Sequence, residues 1–395
     1  MTLLDGYEQR DAVQNQGLAV KEGWEIKKLE DILEKTGTVN PALSPDNEFD
    51  YIDVSSVSNK TFQIEHTQRL KGREAPSRAR KLVQTNDVIF ATIRPTLQRI
   101  AVVPDHLDKQ VCSTGYFVLR PRPGINHRFI FYSLFTKDFG ERIASLQKGA
   151  SYPAVTDGDV RSQEIYVPPL PEQQRIVALL DEAFEALATA KSNTEQNLQN
   201  ASALFECHLD SVFSQPGEGW AEATLGETCE MYQPKTISTK ELVPDGPYPV
   251  FGANGIIGRY DKFNHEEPQL LVTCRGATCG SVNISHPKSW ITANAMVVRP
   301  KDHALDLRFL EFVFRGGVDL SVAITGSAQP QITRTNLSTL LIRFPVDISE
   351  QIRVAETFQA LAAEIKHLTS IYERKLAAVE ELKTSLLHQA FSGEL

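Results

Sequence analysis

With 395 residues, 41% of them hydrophobic, and a net charge of −9, the chain is long enough for two or more soluble domains. No run approaches the ~20 apolar residues of a membrane span, and Met1-Thr-Leu-Leu-Asp5 lacks the basic and apolar regions of a signal peptide. The five cysteines (Cys112, Cys207, Cys229, Cys274, Cys279) include no CxxC pair, which argues against a disulfide or zinc framework and points to the cytoplasm.

Residues 1–21 are polar and aperiodic and read as an arm. A globular region over 22–168 opens at Glu22-Gly23-Trp24. Val88–Ile93 and Tyr116–Leu119 are strand-like, whereas the apolar run Arg128–Phe135 fits a strand or a short helix. Gly140 and Gly149 read as breaks. Pro169 and Pro171 then introduce a helix over 169–214, with apolar residues at Ile176, Leu180, Ala183, Leu187, Leu198, Phe205 and Val212. A second globular region, 215–345, repeats Glu218-Gly219-Trp220 and carries strand-like Leu270–Thr273 and Ala295–Val298 and the aromatic run Arg308–Phe314. A last helix over 346–395 places Val354, Phe358, Leu361, Ile365, Leu368, Val379 and Leu386 at spacings of three and four, the pattern of a coiled-coil seam.

The helical segment Glu172–Phe213 recurs as Glu350–Phe391, every position shifted by 178, and Gly149-Ala-Ser-Tyr-Pro153 is answered by Gly326-Ser-Ala-Gln-Pro330. A unit this long is no solenoid repeat but a duplicated domain-plus-helix module. Each helical segment of 42 residues (172–213) makes a rod of roughly 60 Å. The expected fold is α+β: two globular α/β domains separated by two long antiparallel helices that form a coiled coil, in a nearly circular pseudo-twofold repeat; the alternative is that each helix packs separately against the globular domains. The polar patch Asn193, Gln196, Asn197, Gln199 and Asn200 fits a solvated face or a docking surface.

No catalytic constellation stands out: there is no GxxxxGKS/T, GxGxxG, HExxH or GxSxG, and the histidines lack metal spacing. What remains is recognition chemistry. Glu172–Phe213 holds seven acids and two bases, whereas His66–Ile100 holds eight bases and two acids. Base clustered in one globular segment permits a polyanionic partner despite the overall sign. Arg69, Lys71, Arg73, Arg78, Arg80 and Lys81 are candidates to neutralise phosphates. Arg94 (in Arg94-Pro-Thr96) and Arg275 (in Arg275-Gly-Ala-Thr278) look equivalent, each ending a strand; such an Arg reads guanine by a bidentate contact or makes an intradomain salt bridge. Tyr152 and Gln329 stand at matching loop positions, and Gln331 has the chemistry to read adenine; a structural turn is the alternative.

Several motifs together carry a likeness: Tyr248-Pro-Val-Phe-Gly-Ala-Asn-Gly-Ile-Ile-Gly258, Arg275-Gly-Ala-Thr278, Gly326-Ser-Ala-Gln-Pro-Gln-Ile332, the helix opening Pro-Leu-Pro-Glu-Gln-Gln-Arg175 and the ending Ala390-Phe-Ser-Gly-Glu-Leu395. Over essentially its whole length the chain resembles the specificity subunit of Type I restriction-modification enzymes. The first domain departs more, with Ile93-Arg-Pro-Thr96 and Tyr152 where the second has Cys274-Arg-Gly-Ala277 and Gln329. The resemblance implies a non-catalytic reader of double-stranded DNA. Each domain would bind one half of a split target, and the helical spacer would set the gap and dock two methyltransferase subunits, with two motor-nuclease subunits joining them. S-adenosylmethionine, ATP and magnesium would sit on those partners. The candidate DNA contacts are then Arg69, Lys71, Arg73, Arg78, Arg80, Lys81, Arg94, Thr96, Tyr152, Lys235, Asn254, Arg275, Thr278, Gln329 and Gln331. A reader from a system with fused methyltransferase and nuclease, or a two-headed protein scaffold, are the alternatives.

Overall fold

A computed structural model describes residues 21–302, 304–326 and 329–395; the arm expected over 1–21 lies outside them except for Lys21. The chain forms two compact units, the first running to Ser192 and completed by Leu376–Leu395, the second spanning Asn193–Lys375. In chain order the first globular region contains β1 (Glu25–Lys28), α1 (Leu29–Ile32), β2 (Glu48–Ile52), β3 (Gln68–Lys71), β4 (Ala79–Leu82), β5 (Val88–Ala91), β6 (Ile100–Val102), β7 (Val111–Ser113), β8 (Tyr116–Leu119), α2 (His127–Ser133), α3 (Lys137–Leu146), α4 (Asp157–Arg161) and β9 (Glu164–Val167). The long α5 (Leu170–Ser214) follows. The second region contains β10 (Trp220–Thr224), α6 (Leu225–Thr228), β11 (Cys229–Tyr232), β12 (Tyr248–Phe251), β13 (Ile256–Tyr260), β14 (Leu270–Thr273), β15 (Val282–Ile284), β16 (Trp290–Ile291), β17 (Ala295–Pro300), α7 (Leu307–Phe312), β18 (Ile324–Thr325), β19 (Gln331–Ile332), α8 (Arg334–Ser338) and β20 (Leu341–Pro345), before the long α9 (Ile348–Ser392).

The two regions share one strand plan. Strand β5 lies antiparallel between β6 and β8, as β14 lies between β15 and β17. Strand β2 pairs parallel with β7 and antiparallel with β3, as β12 does with β16 and β13. Both β5 (Val-Ile-Phe-Ala) and β14 (Leu-Leu-Val-Thr) are buried at all four positions, so neither face meets water. The aromatic runs are helices. Asn126 caps α2 by accepting from the Arg128 and Phe129 amides, and Asp306 caps α7 by accepting from Arg308 and Phe309. Gly140 does not break the chain: it lies inside α3, which Phe139 and Ile143 anchor in the core. Gly149 does turn it, at φ +98°.

Helices α5 and α9 are each 45 residues long, and their limits differ by the same 178 (170 to 348, 214 to 392). Within each unit the two run antiparallel. In the first unit, Arg175 donates to the Leu395 carbonyl at 2.8 Å, and Lys191 bonds Glu380 at 2.8 Å. In the second, Phe213 near the end of α5 stacks on Phe358 near the start of α9 at 6.0 Å. Each helix is latched to its own globular region by a buried glutamine. The Gln173 oxygen accepts from the Asn126 amide and its nitrogen donates to the Pro168 carbonyl, both at 2.8 Å. Gln351 repeats this with Asp306 and Pro345, again at 2.8 Å.

The core of the first unit joins Trp24 and Phe129 to Ile176, Leu180, Leu387, Ala390 and Phe391. Phe391 meets Phe129 at 4.9 Å, and Phe213 meets Phe309 in the second unit at 5.8 Å, so the end of one helix packs against the globular region of each unit. In the first unit Lys21 donates to the Leu395 carbonyl at 3.3 Å, so residues 21 and 395 meet where the second unit has the continuous link 215–219.

Candidate nucleic-acid interface

Exposed polar groups gather in each unit where the central apolar strand ends. In the first, β5 runs into a turn over residues 92–99. Its beginning is pinned to a hairpin: the Arg94 amide donates to Pro153 at 2.7 Å and the Val155 amide to Thr92 at 2.9 Å. The hairpin is closed by reciprocal 2.9 Å bonds between Lys148 and Ala154. It turns at Gly149, where a Cβ would come within 3.0 Å of the Tyr152 carbonyl. Within the turn, Leu97 donates to Arg94 at 2.9 Å, and both Arg94 (φ 49°) and Gln98 (φ 50°) adopt left-handed backbone. The Arg94 guanidinium lies 5.0 Å from the centre of the Tyr152 ring, which is 72% exposed.

The second unit repeats the frame. The Gly276 amide donates to Pro330 at 3.2 Å, Ile332 to Cys274 at 2.9 Å, and Cys279 to Gly276 at 3.0 Å. Strands β18 and β19 form the hairpin, and Gly326 (φ 84°) opens its turn. Gly276 (φ 87°) and Gly280 (φ 90°) hold the left-handed positions. This register corrects the equivalence drawn from the sequence. Arg94 corresponds to Gly276, Gln98 to Gly280 and Thr96 to Thr278, while Arg275, bridged to Gln331, corresponds to Ile93, bridged to Ala154.

The structure therefore brings Arg94, Thr96 and Tyr152 together in one unit, and Arg275, Thr278, Gln329 and Gln331 in the other. Asn254 joins the second group. Thr273, at the end of β14, donates to the Ala253 carbonyl, and Asn283 donates to the Asn254 side chain at 2.9 Å. Lys235 lies two residues past Gln233, whose amide reaches the Ala293 carbonyl at 3.0 Å, close to the Cys274–Asn294 backbone bond. Gln98 and Asn283 are neighbours that the sequence reading missed. An offset of 182 between the turns (98 to 280), in place of the match between two arginines, exposes the first.

The basic cluster is divided. Arg78 borders the Arg94 turn, because Thr114 donates to the Arg78 carbonyl at 2.8 Å and Thr92 to Gly115 at 2.8 Å. Arg69 and Lys71 stand opposite Asp50 and Glu48, toward the other end of β2. Arg69 pairs with Asp50 at 2.8 Å and Glu48 at 3.4 Å, and Arg73 with Asp46 at 3.0 Å. Lys81 is half-buried, donating to Asp157 at 2.7 Å and to the Tyr116 carbonyl at 2.6 Å. Arg80 bonds the carbonyl of Ala79 at 2.8 Å. Among the described residues, Lys71, Arg78, Arg80, Arg94, Lys235 and Arg275 make no ion pair.

Among the described residues no group of three His, Cys, Asp or Glu side chains is arranged to hold a metal, and no helix is long and apolar enough to cross a membrane. Burial pushes the Cys112 thiol up to about 12 and Cys229 up to about 11, which disfavours the thiolate that a metal requires.

The model of a family described as Type I restriction modification DNA specificity domain matches residues 21–199 and again 217–374. A Haemophilus influenzae protein, the Type I restriction enzyme HindI specificity subunit, is 28% identical over 40% of this chain, and the match spans about a third (34%) of that relative's length. A chain solved in work on complex assembly and conformational transition of the type I R-M system matches at TM-score 0.83 and 28% identity, over 95% of this chain and 100% of its own. The HsdS subunit from Thermoanaerobacter tengcongensis matches at TM-score 0.66 and 28% identity, over 95% of this chain and 98% of its own.

Proposed function

This chain belongs to the Type I restriction modification DNA specificity family, and we propose that it is the non-catalytic subunit that reads a bipartite target in double-stranded DNA. Residues 22–168 and 215–345 each read one half, and the paired helices between them set the gap and dock two methyltransferase subunits. Two motor-nuclease subunits complete the assembly. S-adenosylmethionine, ATP and magnesium are bound by those partners, and the complex works in the cytoplasm.

The observation that carries this reading is the repeated turn-and-hairpin frame at the ends of β5 and β14. One backbone presents Arg94, Thr96 and Tyr152 in one copy and Arg275, Thr278, Gln329 and Gln331 in the other. A reader of two unlike half-sites needs one frame with two sets of side chains. Arg and Gln contact base edges in pairs of hydrogen bonds. Arg78 and Lys71, which make no ion pair among the described residues, supply phosphate contacts that fix register but carry no sequence information. Exchanging residues 22–168 for the corresponding domain of another family member tests the reading. Methylome sequencing of a host carrying the chimera and its methyltransferase should show one half of the target changed and the gap kept. Change in both halves sinks the proposal.

A further inference from the structure

Arg94 shares the left-handed backbone of its turn with Gln98, but of the two it is the cation, and its side chain lies over an aromatic ring, that of Tyr152. Arg94 holds left-handed backbone at φ 49°, a conformation that a branched or long side chain rarely adopts, where the second unit places Gly276. Its guanidinium lies over the Tyr152 ring and makes no ion pair among the described residues, unlike Arg69, Arg120 and Arg128, which meet carboxylates. Its guanidinium donates from Nη2 to the Ser151 carbonyl over a long 3.4 Å. A guanidinium held by its face keeps its N–H edge for a partner in the same plane. Tyr152, 72% exposed, covers little besides that face.

Resting on the function proposed above, we infer that Arg94 and Tyr152 form a single guanine-reading unit in the first domain. Arg94 donates to guanine O6 and N7, and Tyr152 is the positioning residue that holds the fork flat. The left-handed strain persists because this side chain is needed at that point; the second domain, with Gly276 there, reads without it.

The test uses the full chain assembled with its methyltransferase subunits, and duplexes of the target in which each first-half guanine is replaced in turn by 7-deazaguanine. One replacement should weaken wild-type binding about 5- to 150-fold. Arg94→Gly should lose that sensitivity while keeping its melting temperature, since glycine takes this backbone without strain. Arg94→Asn, which tolerates this backbone but is too short to present the fork, should lose it too, covering the case of a glycine variant that does not fold. Tyr152→Phe should behave as wild type, whereas Tyr152→Ala should reduce the sensitivity. The inference is overturned if no first-half guanine is sensitive in the wild type. It is equally overturned if the Arg94 variants stay sensitive, or if they weaken every duplex by one factor, as a phosphate contact would. A wild-type complex that binds its duplex no better than a scrambled one removes the DNA-reading proposal itself; specific binding with indifferent Arg94 variants removes this inference alone.

Discussion

The turn after β5 and the turn after β14 trace one backbone, yet the first fills its left-handed positions with Arg94 and Gln98 and the second with Gly276 and Gly280. The frame is fixed by hydrogen bonds to the neighbouring hairpin, which any residue supplies, so the side chains are free to differ. The same contrast recurs beneath the surface. An Arg-Pro pair occurs in both halves, Arg120-Pro121 and Arg299-Pro300; it puts Arg120 on buried Asp87 in the first unit, by bonds of 2.8 and 2.7 Å, and Arg299 on half-exposed Glu230 in the second. At equivalent helix positions (205 and 383, 178 apart) stand Phe205, which packs on Phe358, and Lys383, which lies 4.7 Å from the Phe62 ring and 5.6 Å from that of Phe184. Likeness between the halves therefore resides in backbone pairing and latches, and difference in what is hung on them.

The largest expected effect is at the Arg-Pro pairs. Asp87→Ala leaves Arg120 without its partner in a buried setting and should cost about 3–5 kcal/mol, whereas Glu230→Ala should cost no more than about 1 kcal/mol. Denaturant titration of both variants checks this; equal losses would erase the difference. The latches should behave alike. Gln173→Ala and Gln351→Ala each strand a buried amide and carbonyls and should cost about 2–3 kcal/mol apiece, measured as losses in the unfolding free energy, and a large inequality would break the symmetry claimed for them.

The smallest effect is at Lys383. Burial lowers its pKa, Lys191 adds to the lowering, and Glu380 opposes it. Its charged form is therefore disfavoured in the fold; the penalty is present below the folded-state pKa and fades as pH rises toward the ordinary lysine value. Lys383→Met should be more stable than wild type at neutral pH, with the gap closing above about pH 10.4. Melting temperatures at both pH values decide it, and a variant less stable than wild type at pH 7 means the two rings outweigh the burial cost.

The helices were legible because an insertion would rotate the apolar stripe by about 100° per residue, so a shift of 178 holds throughout from Glu172–Phe213 to Glu350–Phe391. The aromatic runs were legible in kind only once Asn126 and Asp306 are seen as caps. The turns after β5 and β14 were misread by one residue, because two arginines invite alignment while backbone sign pairs Arg94 with glycine. The carboxylate partners of Arg69 and Arg73 were not legible for a related reason: Asp46, Glu48 and Asp50, some twenty residues away, come to lie beside them only through the pairing of β2 with β3.

Phe129 and Phe391 touch across 262 residues of chain, and the first core also needs Leu387 and Ala390. The intervening second unit draws on one continuous stretch. On the ribosome the usual order is thereby reversed: the region synthesised first must hold its apolar groove open until the later one has been made, and it closes around a helix end that emerges afterwards.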